Sequence, residues 1–526
     1  MSEIPASFVD TWRKALKARR HEQLDAFPNY HVADPGILVT SCQPRSIRVG
    51  SGESIFTQEL LPAIQSASHE IILVTCFWAR SPTLTALGTT LSELAQARRA
   101  AFEREGEHGN GNLAPPLKIR ICFSSRSLFQ KILHTWSKDG HTYPASGWPA
   151  LGLPDETLVR AANIDMRVKS LFFLPFSVMH PKFLIVDRQR AWMPSCNVSW
   201  ETWFEGCLEI SGQAVGSLLT FYDNVWERPR TAAGRDSLGR GEDNILTSLR
   251  REPELPTPAT LDSDARGYHG PASAYRVVRF DGATTYPAIV LPSSHHQNPR
   301  FRIPFLRQTP PPPTPLNIAL STLFEVAQRE IHIITPNLTC AAVVSMLVAA
   351  LRRGIHVKIW TSRSMMLMEQ LLTAATTTEW VVKSLVRQYR QMCEAHSGRT
   401  RKSHRRWRRL PDLEAAPTKP GHLEIMYYAP HARTMDETLP EPVFSHFKMT
   451  LVDGQYLVLG SGNMDRASWY TSQELGILLF APGFEHAIWT EALESRLVVR
   501  YRGHGVDELA GQNNERQSRE GAALAA

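Results

Sequence analysis

A chain of 526 residues is long enough for two domain-sized cores, and 58 Lys and Arg against 51 Asp and Glu leave a formal charge of +7. That excess favours an anionic partner, a phospholipid membrane surface or a nucleic acid, without choosing between them. Seven cysteines, with no C-x-x-C pair and no metal-ligand spacing, speak against a disulfide framework or structural zinc and for an intracellular setting, cytoplasmic or peripheral on membranes.

In chain order, residues 1–44 read as a peripheral helix and loop. Residues 12–20 form a basic patch of mitochondrial-presequence character, diluted by Glu3 and Asp10. The first half then predicts an amphipathic helix (Phe56, Leu60, Leu61, Ile64), a buried strand over 70–75, and a helix started by Ser81-Pro82 with the stripe Leu84, Leu87, Leu91 and Leu94. A loop over 105–116 leads to strands over 118–123 and 164–168. The second half repeats this order with strands over 330–335, 356–360 and 423–428, and a helix from Ala341 stopped by Gly354. Glu70 and Glu330 stand 260 residues apart. Residues 228–313, rich in Pro and Gly and ending in four prolines, read as a linker, and His295-His296 within it as solvated. No apolar run reaches the roughly 18 residues of a membrane span, so none is predicted.

Each half ends in the same polar pattern. The second copy is His446-Phe447-Lys448-Met449-Thr450-Leu451-Val452-Asp453, followed by Gly460-Ser461-Gly462-Asn463. The first is His180-Pro181-Lys182-Phe183-Leu184-Ile185-Val186-Asp187, followed at the same spacing by Pro194-Ser195-Cys196-Asn197. The histidines are 266 residues apart, so the repeat is nearly in register. Each copy predicts a β-hairpin turning at Asp187-Arg188 or Asp453-Gly454, with His180 opposite Ser195 and His446 opposite Ser461. Residues two apart on a strand share a face, so each hairpin presents an imidazole, an ammonium, a hydroxyl and an amide together. That set suits a phosphate diester. One neutral imidazole attacks phosphorus, the other, protonated, supplies the leaving alkoxide with a proton, and Lys182, Lys448, Asn197 and Asn463 hold the phosphoryl oxygens without a metal. Asp187 and Asp453 read first as turn formers and only second as catalytic.

On these residues the chain resembles the phospholipase D superfamily, whose signature is a duplicated H-x-K-x4-D-x6-G-S-x-N; Pro194 stands where the family has Gly. The resemblance spans about residues 45 to 500 and looks closest to the cardiolipin synthase-like branch. It implies an α/β fold of two pseudo-twofold-related halves, each a mixed β-sheet flanked by helices, with a single active site at their interface and no cofactor. It also implies a covalent phosphohistidine, with His180 as nucleophile and His446 as acid and base. A carboxylate downstream orienting each histidine falls on Glu205 and Glu474, each six residues after a Ser-Trp pair (Ser199-Trp200, Ser468-Trp469), with Glu209 as a rival in the first half.

The expected layout is therefore a peripheral segment (1–44), a first repeat (45–227), a linker (228–313), a second repeat (314–505) with a basic insertion at about 394–420, and a polar tail (506–526). Residues 399–409 hold seven Arg or Lys around Trp407 and read as a solvated loop or as a contact with lipid headgroups or a phosphate backbone. Trp200, Trp203, Phe204, Trp469 and Tyr470 line an acyl groove or, more commonly for such residues, pack a core. The expected activity is a phospholipase D-type phosphodiesterase or phosphatidyltransferase on glycerophospholipids; the alternatives are a metal-independent nuclease and a non-catalytic lipid-binding scaffold.

Overall fold

The computed structural model describes residues 3–107, 115–126, 139–173, 177–199, 201–227, 276–280, 284–295, 309–406, 419–430, 442–482 and 497–503. The first half contains α1 (Ala6–Ala18), β1 (Val39–Ser51), β2 (Glu70–Phe77), α2 (Pro82–Glu107), β3 (Leu117–Ser125), β4 (Ile164–Ser170), β5 (Phe183–Val186), β6 (Arg190–Pro194), β7 (Trp203–Ser211) and α3 (Gln213–Val225). The second contains β8 (Tyr286–Ser293), α4 (Pro315–Val326), β9 (Glu330–Ile334), α5 (Ala341–Arg352), β10 (His356–Thr361), α6 (Leu367–Ala374), α7 (Thr378–Arg406) and β11 (Leu423–Tyr428). It ends with β12 (Met449–Val452), β13 (Tyr456–Gly460), α8 (Arg466–Tyr470), β14 (Glu474–Phe480) and β15 (Leu497–Arg502).

The fold is mixed α/β. In the first half the strand order is β1-β7-β6-β5-β2-β3-β4, parallel from β2 to β4 and antiparallel elsewhere. In the second half β8-β14-β13-β12-β9-β10-β11 has the same directions. β1 joins the two, because residues 39–42 pair with β8 while residues 43–51 pair with β7.

Strand alternation sorts the core into layers. Ile72 and Val74 on β2, Met449 and Leu451 on β12, and Leu457 and Leu459 on β13 point into one central cluster with α3. Their neighbours Ile71 and Leu73 face the α2 side, and Val452 and Val458 face α4 and α5. Both sheets are thus covered on both faces. Among the described residues no helix is long and apolar enough to cross a membrane.

Three expectations change. Residues 1–44 are not peripheral: α1 buries Phe8, Trp12 and Leu16 at helical spacing, and the Trp12 indole N–H donates to the Pro315 carbonyl at 3.1 Å. Burying side chains of this kind stabilises by roughly 1.5–3 kcal/mol each. Nor are residues 228–313 only a linker, since β8 lies inside them with Ala288, Ile289, Val290 and Leu291 fully buried. Its prolines are tolerated because Pro287 pairs only towards β1 and Pro292 only towards β14, so each lies where the strand has one neighbour. The segment 228–275 lies outside the described residues. In the basic insertion, α7 continues as helix to Arg406 where a loop was expected; Trp407, like the tail from residue 504, lies outside the described residues.

Candidate active site

The hairpins form, but their turns hold one residue more than expected. Val186 pairs with Arg190 and Val452 with Tyr456, leaving three-residue connections. Asp187 and Arg188 (φ 52° and 59°) and Asp453 and Gly454 (φ 55° and 67°) take the left-handed conformation of a type I′ turn. The register is therefore shifted by one from that predicted, and the serine does not stand opposite the histidine. The aspartates anchor these turns instead of joining the histidines. Asp187 accepts the backbone N–H groups of Ser68, His69 and Glu70, the last two at 2.7 and 2.8 Å, and Asp453 accepts those of Gln328, Arg329 and Glu330 at 2.8–3.0 Å. Each lies a strand's length, roughly 20 Å, from its signature histidine.

At the opposite end of the hairpins the two halves clamp each other. The His180 N–H donates to the Gln473 carbonyl at 2.9 Å, and the His446 N–H to the Phe204 carbonyl at 2.8 Å. Each histidine therefore lies beside the glutamate-bearing strand of the other half. His180 Nδ1 meets Glu474 at 2.7 Å, and His446 Nδ1 meets Glu205 at 2.8 Å. The carboxylates expected beside the histidines are there, but crosswise: each serves the histidine of the opposite copy. Glu209, the rival, is occupied by Ser46, Arg48 and Arg190.

The serine hydroxyls also differ from expectation, which had them facing substrate. Ser195 Oγ donates to Glu205 and Ser461 Oγ to Glu474, and each oxygen accepts a backbone N–H, from Gly206 at 2.9 Å and from Leu475 at 3.1 Å. They fix the carboxylates. Glu474 has a further donor in Ser468 Oγ at 2.7 Å, a contact with no precedent in the sequence reading beyond the Ser-Trp spacing. Pro194 does not distort its half-site: the Ser195 N–H reaches the Gly206 carbonyl at 2.7 Å, matching Ser461 to Leu475 at 3.0 Å.

Lys182 and Lys448 are buried, and their ammonium groups donate to the carbonyls of His180 (3.1 Å) and His446 (2.6 Å). Asn197 Oδ1 accepts the Phe77 N–H at 3.2 Å; Asn463 Nδ2 donates to Asp465 at 3.0 Å. Both lysines act electrostatically on both histidines, so the four groups share one locality.

Burial governs the protonation states. It lowers the His180 pKa, with Glu474 acting in the opposite sense, and pushes His446 down to about 3 against the pull of Glu205. Burial likewise brings Lys448 down to about 7. For Glu205 and Glu474 burial acts upward, but the facing imidazoles and hydroxyls outweigh it and hold both carboxyls below their ordinary value. Ionised carboxylates accept from Nδ1–H, so each neutral imidazole keeps its proton there and leaves the Nε2 lone pair available to an electrophile.

Of the aromatic residues considered for a groove, Phe204, Trp469 and Tyr470 are core, Trp203 lies against the His446 ring at 4.8 Å between centroids, and Trp200 is outside the described residues. His295 is not solvated: it is buried, stacked on Phe173 at 4.3 Å and hydrogen-bonded to Ser177. Among the described residues no group of three or more His, Cys, Asp or Glu is placed to hold a metal ion.

Residues 320–494 match the family described as cardiolipin synthase, PLD-like domain. No curated protein matches the chain. Among solved structures, phosphatidylserine synthase of Haemophilus influenzae Rd KW20 is similar at a TM-score of 0.46 and 14% identity, over 93% of this chain and 97% of that one. Polyphosphate kinase of Porphyromonas gingivalis is similar at a TM-score of 0.39 and 10% identity, over 85% of this chain and 49% of that one.

Proposed function

We propose, from a second half that carries a phospholipase D-like domain, that the protein is a phosphodiesterase or phosphatidyltransferase of phospholipase D type acting on glycerophospholipids. The observation that carries this reading is the crosswise pair of His–Glu contacts at 2.7 and 2.8 Å, with both lysines in the same locality. Two oriented imidazoles divide the work that one cannot do alone.

In this mechanism His180 Nε2 attacks phosphorus, the P–O bond to the leaving alcohol breaks, and His446, neutral in the free site and protonated only as the bound anionic diester offsets the burial that favours the neutral ring, gives that proton to the departing oxygen. Water or an acceptor alcohol then attacks phosphorus, the P–Nε2 bond breaks to release His180, and the proton of the attacking hydroxyl passes to His446. His180 is assigned the attack because its side chain is 13% exposed and that of His446 only 3%. Lys182 and Lys448 balance the charge on the non-bridging oxygens. In a cardiolipin synthase-like reaction, donor and acceptor are both phosphatidylglycerol-type lipids.

The test compares wild type with His446→Ala on mixed phospholipid vesicles and on single- and double-stranded DNA, without added metal. Headgroup release or a diphosphatidyl product that disappears in the variant is the expected result. Cleavage of DNA alone would replace this reading with a nuclease.

A further inference from the structure

Helix α6 is amphipathic in the wrong sense for a helix packed on a protein in water. Its inward face presents Gln370 and Ala374, while Leu367, Met368, Leu371 and Leu372 point outward, Met368 being 71% and Leu372 66% exposed. Polar bonds hold it in place: Gln370 Nε2 donates to the Met365 carbonyl at 2.5 Å, and Gln370 Oε1 accepts the Thr378 N–H at 2.6 Å. Trp380, 58% exposed, follows at the start of α7. Single exposed apolar side chains are ordinary, but five on one short stretch imply an apolar occupant.

The rim supplies the charge of that occupant. Arg363, Lys383 and Arg500 approach the carboxylate of Glu379 at 3.9, 3.3 and 3.7 Å, so that even with Glu369, the exposed carboxylate of α6 itself, the three cations outnumber the two anions. Lys383 and Arg387 follow Trp380 at i+3 and i+7, along one face of α7, and both are exposed. Outward leucine and methionine, a tryptophan, and a basic border are what a helix lying at a membrane interface presents to lipid.

The position fits the candidate site. α6 packs against α8, whose Ser468 holds Glu474. Just upstream of α6, Ser362 Oγ donates to the Ser445 carbonyl at 3.0 Å, one residue before His446.

We propose that α6 and the start of α7 are the surface by which the protein docks on an anionic phospholipid bilayer, with the apolar face of α6 and Trp380 entering the headgroup–acyl boundary. The role of this surface in delivering substrate rests on the lipid reading above; docking itself does not require turnover. The test is co-sedimentation of the full chain with phosphatidylcholine vesicles with and without phosphatidylglycerol, for wild type, for Met368→Glu/Leu372→Glu, and for Trp380→Ala. Wild type is expected to bind the phosphatidylglycerol vesicles, the double variant roughly tenfold or more weakly. Hydrolysis of a short-chain, water-soluble phosphodiester by the double variant should remain at the wild-type level. Should the double variant fail to fold, reduced binding by Trp380→Ala decides the question. Wild type that ignores vesicles, or variants that bind as well as wild type, overturn the proposal. So does a change of oligomeric state on size exclusion with vesicle binding retained, which would make the patch a protein interface. Vesicle binding lost in the variants while wild type fails on every phosphodiester would sink the catalytic reading and support the docking surface.

Discussion

The site around Glu474 and the site around Glu205 are built from one repeated signature on one strand order, yet their surroundings differ. Glu474 accepts from two hydroxyls, Ser461 and Ser468, and faces His180; among the described residues Glu205 accepts from one hydroxyl, that of Ser195, and faces His446, which lies under Trp203. The strands beneath differ too. Gly460 pairs with Gly476, and a side chain at Gly460 would meet the Leu475 carbonyl at 2.4 Å, whereas Pro194 pairs with Cys207. A pair of small residues in one half has become a bulkier pair in the other without moving the serine. The difference shows which features such a half-site must keep: the serine–carboxylate clamp and the crossing of the chains. What is free to vary is the packing behind them and the openness of the imidazole, and the unlike roles proposed for the two half-sites rest on that freedom.

The largest expected effect separates those roles. With a natural diester, His180→Ala and His446→Ala should each lower kcat on the order of 10⁴-fold. With a nitrophenyl phosphodiester, whose leaving group needs no proton, His446→Ala should recover a burst of nitrophenol while His180→Ala stays silent. Rapid-mixing absorbance reads this directly. A burst in His180→Ala and none in His446→Ala would reverse the assignment and break the link between ring exposure and role.

A second effect concerns acid stability. His446 in the folded chain titrates at about 3, below its ordinary value of 6.5, so between these limits the unfolded chain binds the extra proton. The stability it contributes is therefore fully present above about pH 6.5 and is lost as the pH falls towards 3; the lowered carboxyl of Glu205 acts in the same direction below its ordinary 4.5. The loss from pH 7 to 4 should be on the order of 3 kcal/mol in urea unfolding, and His446→Gln should flatten it more than His180→Gln, whose ring is the more open. A wild-type profile that is level over this range would show that His446 is not held neutral by burial.

Much of this was legible before the structure. The paired histidines and lysines stood out because both the residue types and their spacing recur, and the strands at 70–75, 356–360 and 423–428 because short β-branched and apolar runs lie between turn residues. Crossing was not legible. Glu205 and Glu474 each follow the nearer histidine by fewer than 30 residues, and nothing in one chain tells a carboxylate to serve the copy more than 240 positions away. The backbone clamps of His180 on Gln473 and His446 on Phe204 decide it, and these are tertiary. β8 escaped notice for a different reason: Pro287 and Pro292 argued against a central strand, although the run Ala288-Ile289-Val290-Leu291 between them was the signal that it is one. In α6 the apolar residues were visible but their direction was not, since pattern gives a face and only packing says which way it looks.

The smallest effect probes the asymmetry most sharply. Ser468 and Ser199 occupy the same place in the two copies, each before a tryptophan and six residues before the glutamate. Ser468 Oγ donates to Glu474 at 2.7 Å and accepts the Asn463 N–H at 3.1 Å, while among the described residues Ser199 makes no bond to Glu205. Ser468→Ala leaves a buried N–H unpaired and takes one of two hydroxyl donors from the carboxylate that fixes His180. That should cost about 1–2 kcal/mol of stability and lower kcat roughly tenfold with KM little changed. Ser199→Ala should leave kcat within about twofold of wild type, because no orienting bond to a carboxylate is lost. Equal losses in the two variants, read from paired kcat and thermal-unfolding measurements, would mean that the half-sites hold their glutamates in the same way, and the division of labour would then rest on the exposure of the histidines alone.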